Sequence, residues 1–266
     1  MISLVDQLNR PIDLKEPAKR IVSLVPSITE FLNDIGLEQE VIGITKFCIK
    51  PEHWLNEKQR VGGTKTLAID TIISLKPDLI LANKEENTQE QIELLADLFP
   101  TYISDINKLE DTYLCLTDIG ILCNRKFEAE QMNKSIKEGF HQLKNRVKGK
   151  GVYYFIWQNP IMIVGSNTFI NSILEYFGFN NLGKYKGERY PETSLAEIKN
   201  SQADYIFLSS EPYPFKKKQQ KEIQLEFPNT NVVLVDGEAF SWYGSRLKHS
   251  LPYYNSLLNS LTVDCQ

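Results

Sequence analysis

Short apolar runs rich in β-branched residues alternate along this chain with stretches of helical period, from one end to the other. Ile21-Val22-Ser23-Leu24-Val25 reads as a buried parallel strand, since a strand covered on both faces needs no polar alternation. Pro26 ends it, Ser27-Ile28-Thr29-Glu30 fits a capping box, and Gly36 closes the helix that follows. Val41–Thr45 supplies a second strand, and Phe47 to Thr66 is loop-like, with Pro51, Trp54 and Gly62-Gly63. A helix from Asp70 to Leu75 runs into Pro77, a strand covers Leu79–Ala82, and a helix spans Asn87–Phe99. A strand at Thr101–Ile103 and a helix at Leu109–Leu122 complete the first half.

Phe127, Met132, Ile136, Phe140, Leu143 and Val147 then recur every three to five residues among charged and amide residues, which predicts one helix from Lys126 to Val147 with a narrow apolar stripe. At 1.5 Å per residue such a helix reaches about 33 Å, enough to couple two lobes and to keep their closure small. Beyond Gly149 and Gly151 the pattern repeats: strands at Gly151–Ile156 and Ile161–Val164, then a helix capped by Asn167 and ended by Gly178.

The halves also echo one another residue by residue. Phe31–Leu37 parallels Ile173–Phe179, Asp70–Leu81 parallels Ala196–Phe207, and Leu98-Phe99-Pro100 parallels Glu226-Phe227-Pro228. The expected fold is therefore α/β: two Rossmann-like lobes with parallel sheets, residues 1–124 and 150–266, joined by a long backbone helix within 125–149. In such a fold the ligand is expected in the cleft where strand-end loops of the lobes face one another.

Composition narrows the function. The 266 residues are 42% hydrophobic and 11% aromatic, ample for two cores. Thirty Lys+Arg against 34 Asp+Glu leave a net charge of −4, with Lys216-Lys217-Lys218 as the only basic cluster, best read as a solvated helix start. A nucleic-acid partner is not expected. Cys48, Cys115, Cys123 and Cys265 fit neither a CxxC metal motif nor a dense disulfide framework and are expected as free thiols. No stretch approaches a membrane span, and Met1–Asp6 has neither a basic nor an apolar leader region, so the chain as written is expected to stay in the cytosol.

The candidate chemistry sits in loops after strands: Pro26-Ser27, Trp157–Pro160, Ser209–Phe215, Glu188–Glu192 and Ser241-Trp242-Tyr243-Gly244-Ser245-Arg246. Gly244 permits close backbone approach, and Ser245-Arg246 opens a helix, so Arg246 and free amides suit an anionic ligand group; a surface salt bridge is the alternative for Arg246. Trp157 fits lobe packing and ligand contact equally well. No HExxH, GxSxG or GxxxxGK[ST] motif is present, His53, His141 and His249 lie far apart, and Glu211 has no visible nucleophile to serve, so an enzyme is not expected.

Ile21 to Ile35 (IVSLVPSITEFLNDI), Val61 to Asp78 (VGGTKTLAIDTIISLKPD), the linking helix and SWYGSR together resemble the helical-backbone substrate-binding proteins of ABC importers, the cobalamin-binding branch above all. The resemblance runs from about Leu4 to Leu261. It implies capture of a metal chelate (a corrinoid, a ferric siderophore or haem) by a monomer without catalysis or a cofactor of its own, delivery to an ABC permease, and a periplasmic location. It places Pro26 and Ser27 in the first-lobe ligand loop, Tyr190 as the second-lobe aromatic, and Trp242, Tyr243 and Arg246 in the last ligand loop. Phe47, Thr64, Lys65 and Trp157 join the expected ligand set; Lys50 and Thr64 stand where the corrinoid branch places aromatics, and Phe47, Trp54 or Trp157 is the aromatic expected to compensate. Asp70 is the expected permease-docking acid of the first lobe. In the second, Ala196 takes the matching position and Glu197 follows, a rotation of about 100° on a helix. A cytosolic chelate-handling protein or enzyme using the same cleft is the rival reading.

Overall fold

The computed structural model describes residues 1–263, so Cys265 lies outside the described residues. The chain folds as two compact units, the first built from residues 1–106, 110–137 and 242–248, the second from 107–109, 138–241 and 249–266.

The first unit opens with a hairpin that the apolar pattern of the sequence did not bring out, β1 (Ile2–Val5) and β2 (Pro11–Leu14), paired antiparallel around Asn9 at φ 63°. Ile12 and Leu14 point inward while Pro11 and Asp13 stay exposed, the alternation of a half-covered strand. The strands β3 (Ile21–Ser23) and β4 (Val41–Ile44) follow, separated by helix α1 (Pro26–Asp34). After them come α2 (Trp54–Glu57), β5 (Gln59–Arg60), β6 (Gly62–Gly63), β7 (Thr66–Leu67) and α3 (Ile69–Leu75). Most of these small elements lie within the stretch expected as plain loop. β8 (Leu79–Asn83), α4 (Gln89–Leu98), β9 (Thr101–Ser104) and α5 (Leu109–Leu122) bring the chain to α6 (Lys126–His141).

Five of these strands form one all-parallel sheet in the order β5-β4-β3-β8-β9. Val22, Leu24, Ile80, Ala82 and Ile103 pack under it against Ile72, Ile92 and Leu95 of the covering helices. The chain leaves β3 to one side for β4 and returns on the other for β8, so the switch of direction falls between β3 and β8, where an open α/β sheet parts its loops for a ligand.

α6 stops at His141, short of Val147. Leu143 and Val147 are buried as the stripe requires, but the chain carrying them turns through Asn145, Lys148 and Gly149, all at positive φ. Asn145 N–H and Val147 N–H donate to the carbonyls of Tyr176 and Phe177 instead of continuing a helix. Phe127, at the head of the expected stripe, is 69% exposed.

The second unit holds β10 (Gly151–Trp157), β11 (Ile161–Ile163), α7 (Phe169–Phe177), β12 (Asn180–Asn181), β13 (Glu192–Thr193), α8 (Leu195–Lys199), β14 (Tyr205–Ser209), α9 (Lys217–Glu226), β15 (Asn231–Val235) and α10 (Gly237–Ser241). The chain ends in α11 (Arg246–His249) and α12 (Leu251–Val263). β12, β10, β14 and β15 run parallel, whereas β11 and β13 extend the sheet antiparallel. The short link from Trp157 to Ile161 dictates this, because a tight turn can join only antiparallel neighbours. Thr168, not Asn167, caps α7 by accepting from the Asn171 amide, while Asn167 takes the left-handed conformation one residue earlier. Phe140, Tyr154, Phe177, Phe207, Phe240 and Tyr254 fill one side of the sheet with rings 5.0–6.4 Å apart, most of them edge to face.

Candidate functional site

In the first unit the residues singled out from sequence gather at the carboxyl ends of the parallel strands. α1 begins directly at Pro26, whose ring presets the φ of a first helical residue, with Val25 as the preceding residue. Ser27 is therefore inside the helix and makes no capping box. Glu30, the expected capping partner, turns elsewhere: Arg246 Nη2 donates to its Oε1 at 2.5 Å, with the two side chains only 13% and 10% exposed. The guanidinium carbon also lies 5.3 Å from the Trp242 ring centre. Arg246 thus combines an ion pair with an aromatic face, both inside this unit.

The same returning segment buries Tyr243, whose hydroxyl meets Ser104 Oγ at 3.1 Å at the end of β9. Burial, then the charge of Glu86, raises its phenol well above the ordinary range and keeps it neutral. Gly244, at φ 85°, has the Ser27 carbonyl 3.3 Å from where a Cβ would stand, so its backbone packs closely on α1. Asn83 and Asn87 hold the loop after β8: Asn83 Nδ2 donates to Ser104, its Oδ1 accepts from the Glu85 and Glu86 amides, and Asn87 Nδ2 donates to the Thr64 carbonyl. Neither asparagine was singled out in the sequence, although the Asn83–Asn87 spacing after a strand is the signal of a self-bonded loop.

Around this frame Phe47 is half exposed, and the Lys46 amino group stands 5.1 Å from its ring centre. A Cβ on Gly63 would touch both side chains, so the β6–β7 turn lies against them. Thr64 is partly exposed in that turn, and Lys65 donates to the Glu85 carbonyl at 2.6 Å. Trp54 is wholly buried and acts as core. Asp70 is exposed in the first turn of α3.

The second unit has its own cluster at the switch between β10 and β14. Trp157, 40% exposed at the end of β10, meets the Tyr213 ring edge-on at 5.7 Å, and the Tyr213 hydroxyl donates to Gln158. Glu211 Oε1 accepts from Ser241 Oγ at 2.6 Å. Tyr190 is partly exposed beside Arg189, whose guanidinium donates to Asn107 Oδ1 and to the Asn167 carbonyl. Glu197 is exposed in α8, yet Lys186 bonds it at 2.6 Å and Thr193 at 2.7 Å, and these hydrogen bonds hold its carboxyl below the usual range.

Three described thiols, Cys48, Cys115 and Cys123, are free and buried, and burial pushes each up in pKa. Among the described residues no helix is long and apolar enough to cross a membrane.

Comparison with known proteins matches residues 21–231 to a family model described as periplasmic binding protein. An ABC transporter substrate-binding lipoprotein of Bacillus subtilis, YvrC, is 28% identical over 191 residues, 68% of this chain and 60% of its own length; the chain thus spans less than two thirds of that relative. Among solved structures, the petrobactin-binding protein YclQ of Bacillus subtilis superposes with a TM-score of 0.80 at 18% identity, covering 98% of each chain. The vitamin B12-binding protein BtuF of Vibrio cholerae gives 0.79 at 20% identity, over 92% of this chain and 98% of its own.

Proposed function

Because this chain belongs to the periplasmic binding protein family, we propose that it captures a metal chelate, of the corrinoid, ferric siderophore or haem class, and presents it to an ABC importer. The observation that carries the reading is the family match over 21–231, whose span includes strand-end loops of both units and stops before the 241–246 loop. The relatives named above bind vitamin B12 and petrobactin or serve ABC transporters, which supports the chelate class and the permease partner. In the first unit, Phe47 and Trp242 offer aromatic faces of the kind that suits a macrocycle or an aryl chelate. Ser27, Thr64, Lys65 and Tyr243 complete the ligand set proposed for this unit, and Trp157 and Tyr190 are the aromatics proposed for the second unit.

The protein works by binding, as one chain, with no catalysis and no resident cofactor; the metal arrives within the cargo. Burial keeps Cys48, Cys115 and Cys123 protonated, so none of these three thiols is a ready nucleophile. Asp70 offers the permease an exposed carboxylate with no ion pair among the described residues, and Glu197 offers one already countered by Lys186, so the first-unit contact carries most of the docking.

The experiment is a visible absorption titration of the purified chain with cyanocobalamin, haemin and ferric hydroxamate or catecholate chelates. A saturable one-to-one spectral shift with one class supports the proposal, and no shift with any of them at about 100 µM refutes it.

A further inference from the structure

We propose that Glu38, His53 and Glu57 form a surface site for a divalent transition-metal ion of the zinc type. Their ligand atoms all lie within 4.8 Å of one another. His53 and Glu57 stand four residues apart across the single turn of α2, which puts both on one face. Glu38 reaches them from the turn between α1 and β4, and its Oε1 lies 3.1 Å from His53 Nε2. Ligands about 2.0–2.2 Å from a tetrahedral zinc ion are separated by about 3.4 Å, so a small outward movement of these two atoms admits the ion. One imidazole and two carboxylates are a donor set zinc accepts, with water as fourth ligand.

The charges around the three side chains argue for a cation. Among the described residues His53 is the only ion-pair partner of the Glu38 carboxylate, and Glu57 has none. Two carboxylates this close repel each other unless a positive charge is shared between them. The nearby Lys58 does not serve, for its amino group lies 2.5 Å from the Glu38 carbonyl oxygen and 5.1 Å from the Trp54 ring centre. These contacts also steady the frame. Trp54 is wholly buried beneath α2, and Arg60 donates to the carbonyls of Leu55 and Thr45, so the two ligand-bearing elements are held before any ion arrives. A bound ion would tie the α1–β4 turn to α2 by a third link.

The site is independent of the chelate reading and is tested with zinc chloride alone. Untagged protein in a Cys265→Ser background, which removes the thiol near the chain end, is titrated calorimetrically with ZnCl2 in a buffer that does not chelate. The expected result is one ion per chain with a dissociation constant on the order of 10 µM or tighter. His53→Ala and Glu57→Gln should each weaken binding at least about tenfold, and His141→Ala, at another exposed histidine, should leave it unchanged. All three ligands are exposed, so the circular dichroism of the variants should match the parent. No saturable heat at about 100 µM zinc, or undiminished binding in His53→Ala, overturns the assignment.

Discussion

Replacing Arg246 by methionine should destabilise the first unit by about 3–5 kcal/mol, because it strands a carboxylate that folding has taken out of water. The magnitude follows from burial. With the Glu30 and Arg246 side chains 10% and 13% exposed and bonded at 2.5 Å, the pair lies among the desolvated ones, where removing one partner costs far more than the pair contributes as a whole. Methionine keeps most of the aliphatic stem against Trp242 and removes the charge. A Trp157→Phe background leaves Trp54 and Trp242 as reporters, both in the first unit, so fluorescence follows that unit alone. With a urea dependence of about 2 kcal/mol per M, the midpoint should fall by about 1.5–2.5 M. Adding Glu30→Gln should recover much of the loss, since the buried carboxylate that Arg246 countered is then gone. A drop under about 0.5 M, or a double variant as weak as the sum of the singles, would refute the reasoning.

Other substitutions probe separate parts of the molecule. Trp242→Ala should weaken the chelate found by spectral titration at least about tenfold, equivalent to about 1.4 kcal/mol, while circular dichroism at 25 °C shows the first unit still folded. Gly165→Ala should cost about 1–3 kcal/mol in urea unfolding of the second unit, because the new methyl would stand 1.9 Å from the Glu188 carbonyl oxygen. Asp118 bonds the Tyr102 hydroxyl at 2.9 Å, and burial raises its carboxyl above the ordinary value of 3.8. A group that holds its proton more tightly folded than unfolded contributes stability below pH 3.8 and loses it as pH climbs through the folded value. Stability of the wild type minus that of Asp118→Asn should therefore fall with rising pH above about 4; a flat difference would sink the assignment.

Much of the α/β framework was legible because parallel strands buried on both faces announce themselves as runs such as Ile21–Val25 and Leu79–Ala82. α5 could be read to its last residue, its periodicity being uninterrupted from Leu109 to Leu122. What failed was local grammar overridden by distant partners. Ser27-Ile28-Thr29-Glu30 spells a capping box, yet Glu30 pairs with a residue 216 positions away, a bond that no local window contains. Leu143 and Val147 keep a helical spacing although the backbone there is irregular, since burial constrains side chains and not the path between them. The hairpin at Ile2–Leu14 was missed for its shortness. Among candidate site residues, the aromatics and Arg246 stand out in the sequence as candidates by their loops, while Asn83 and Asn87 do not, for they bond backbone whose position the fold decides.

The first unit has one more property, which concerns time. Its last piece, Trp242–Lys248, is made after the whole stretch from 138 to 241 that belongs to the other unit. At ordinary translation rates the ribosome needs about 5–20 s for that interval, during which the nascent first unit lacks Arg246 and the cover that Tyr243 provides over Ser104. Glu30 gains its guanidinium partner only once residue 246 emerges. Completion of the first unit therefore waits on synthesis through Lys248, long after its earlier strands and helices have emerged.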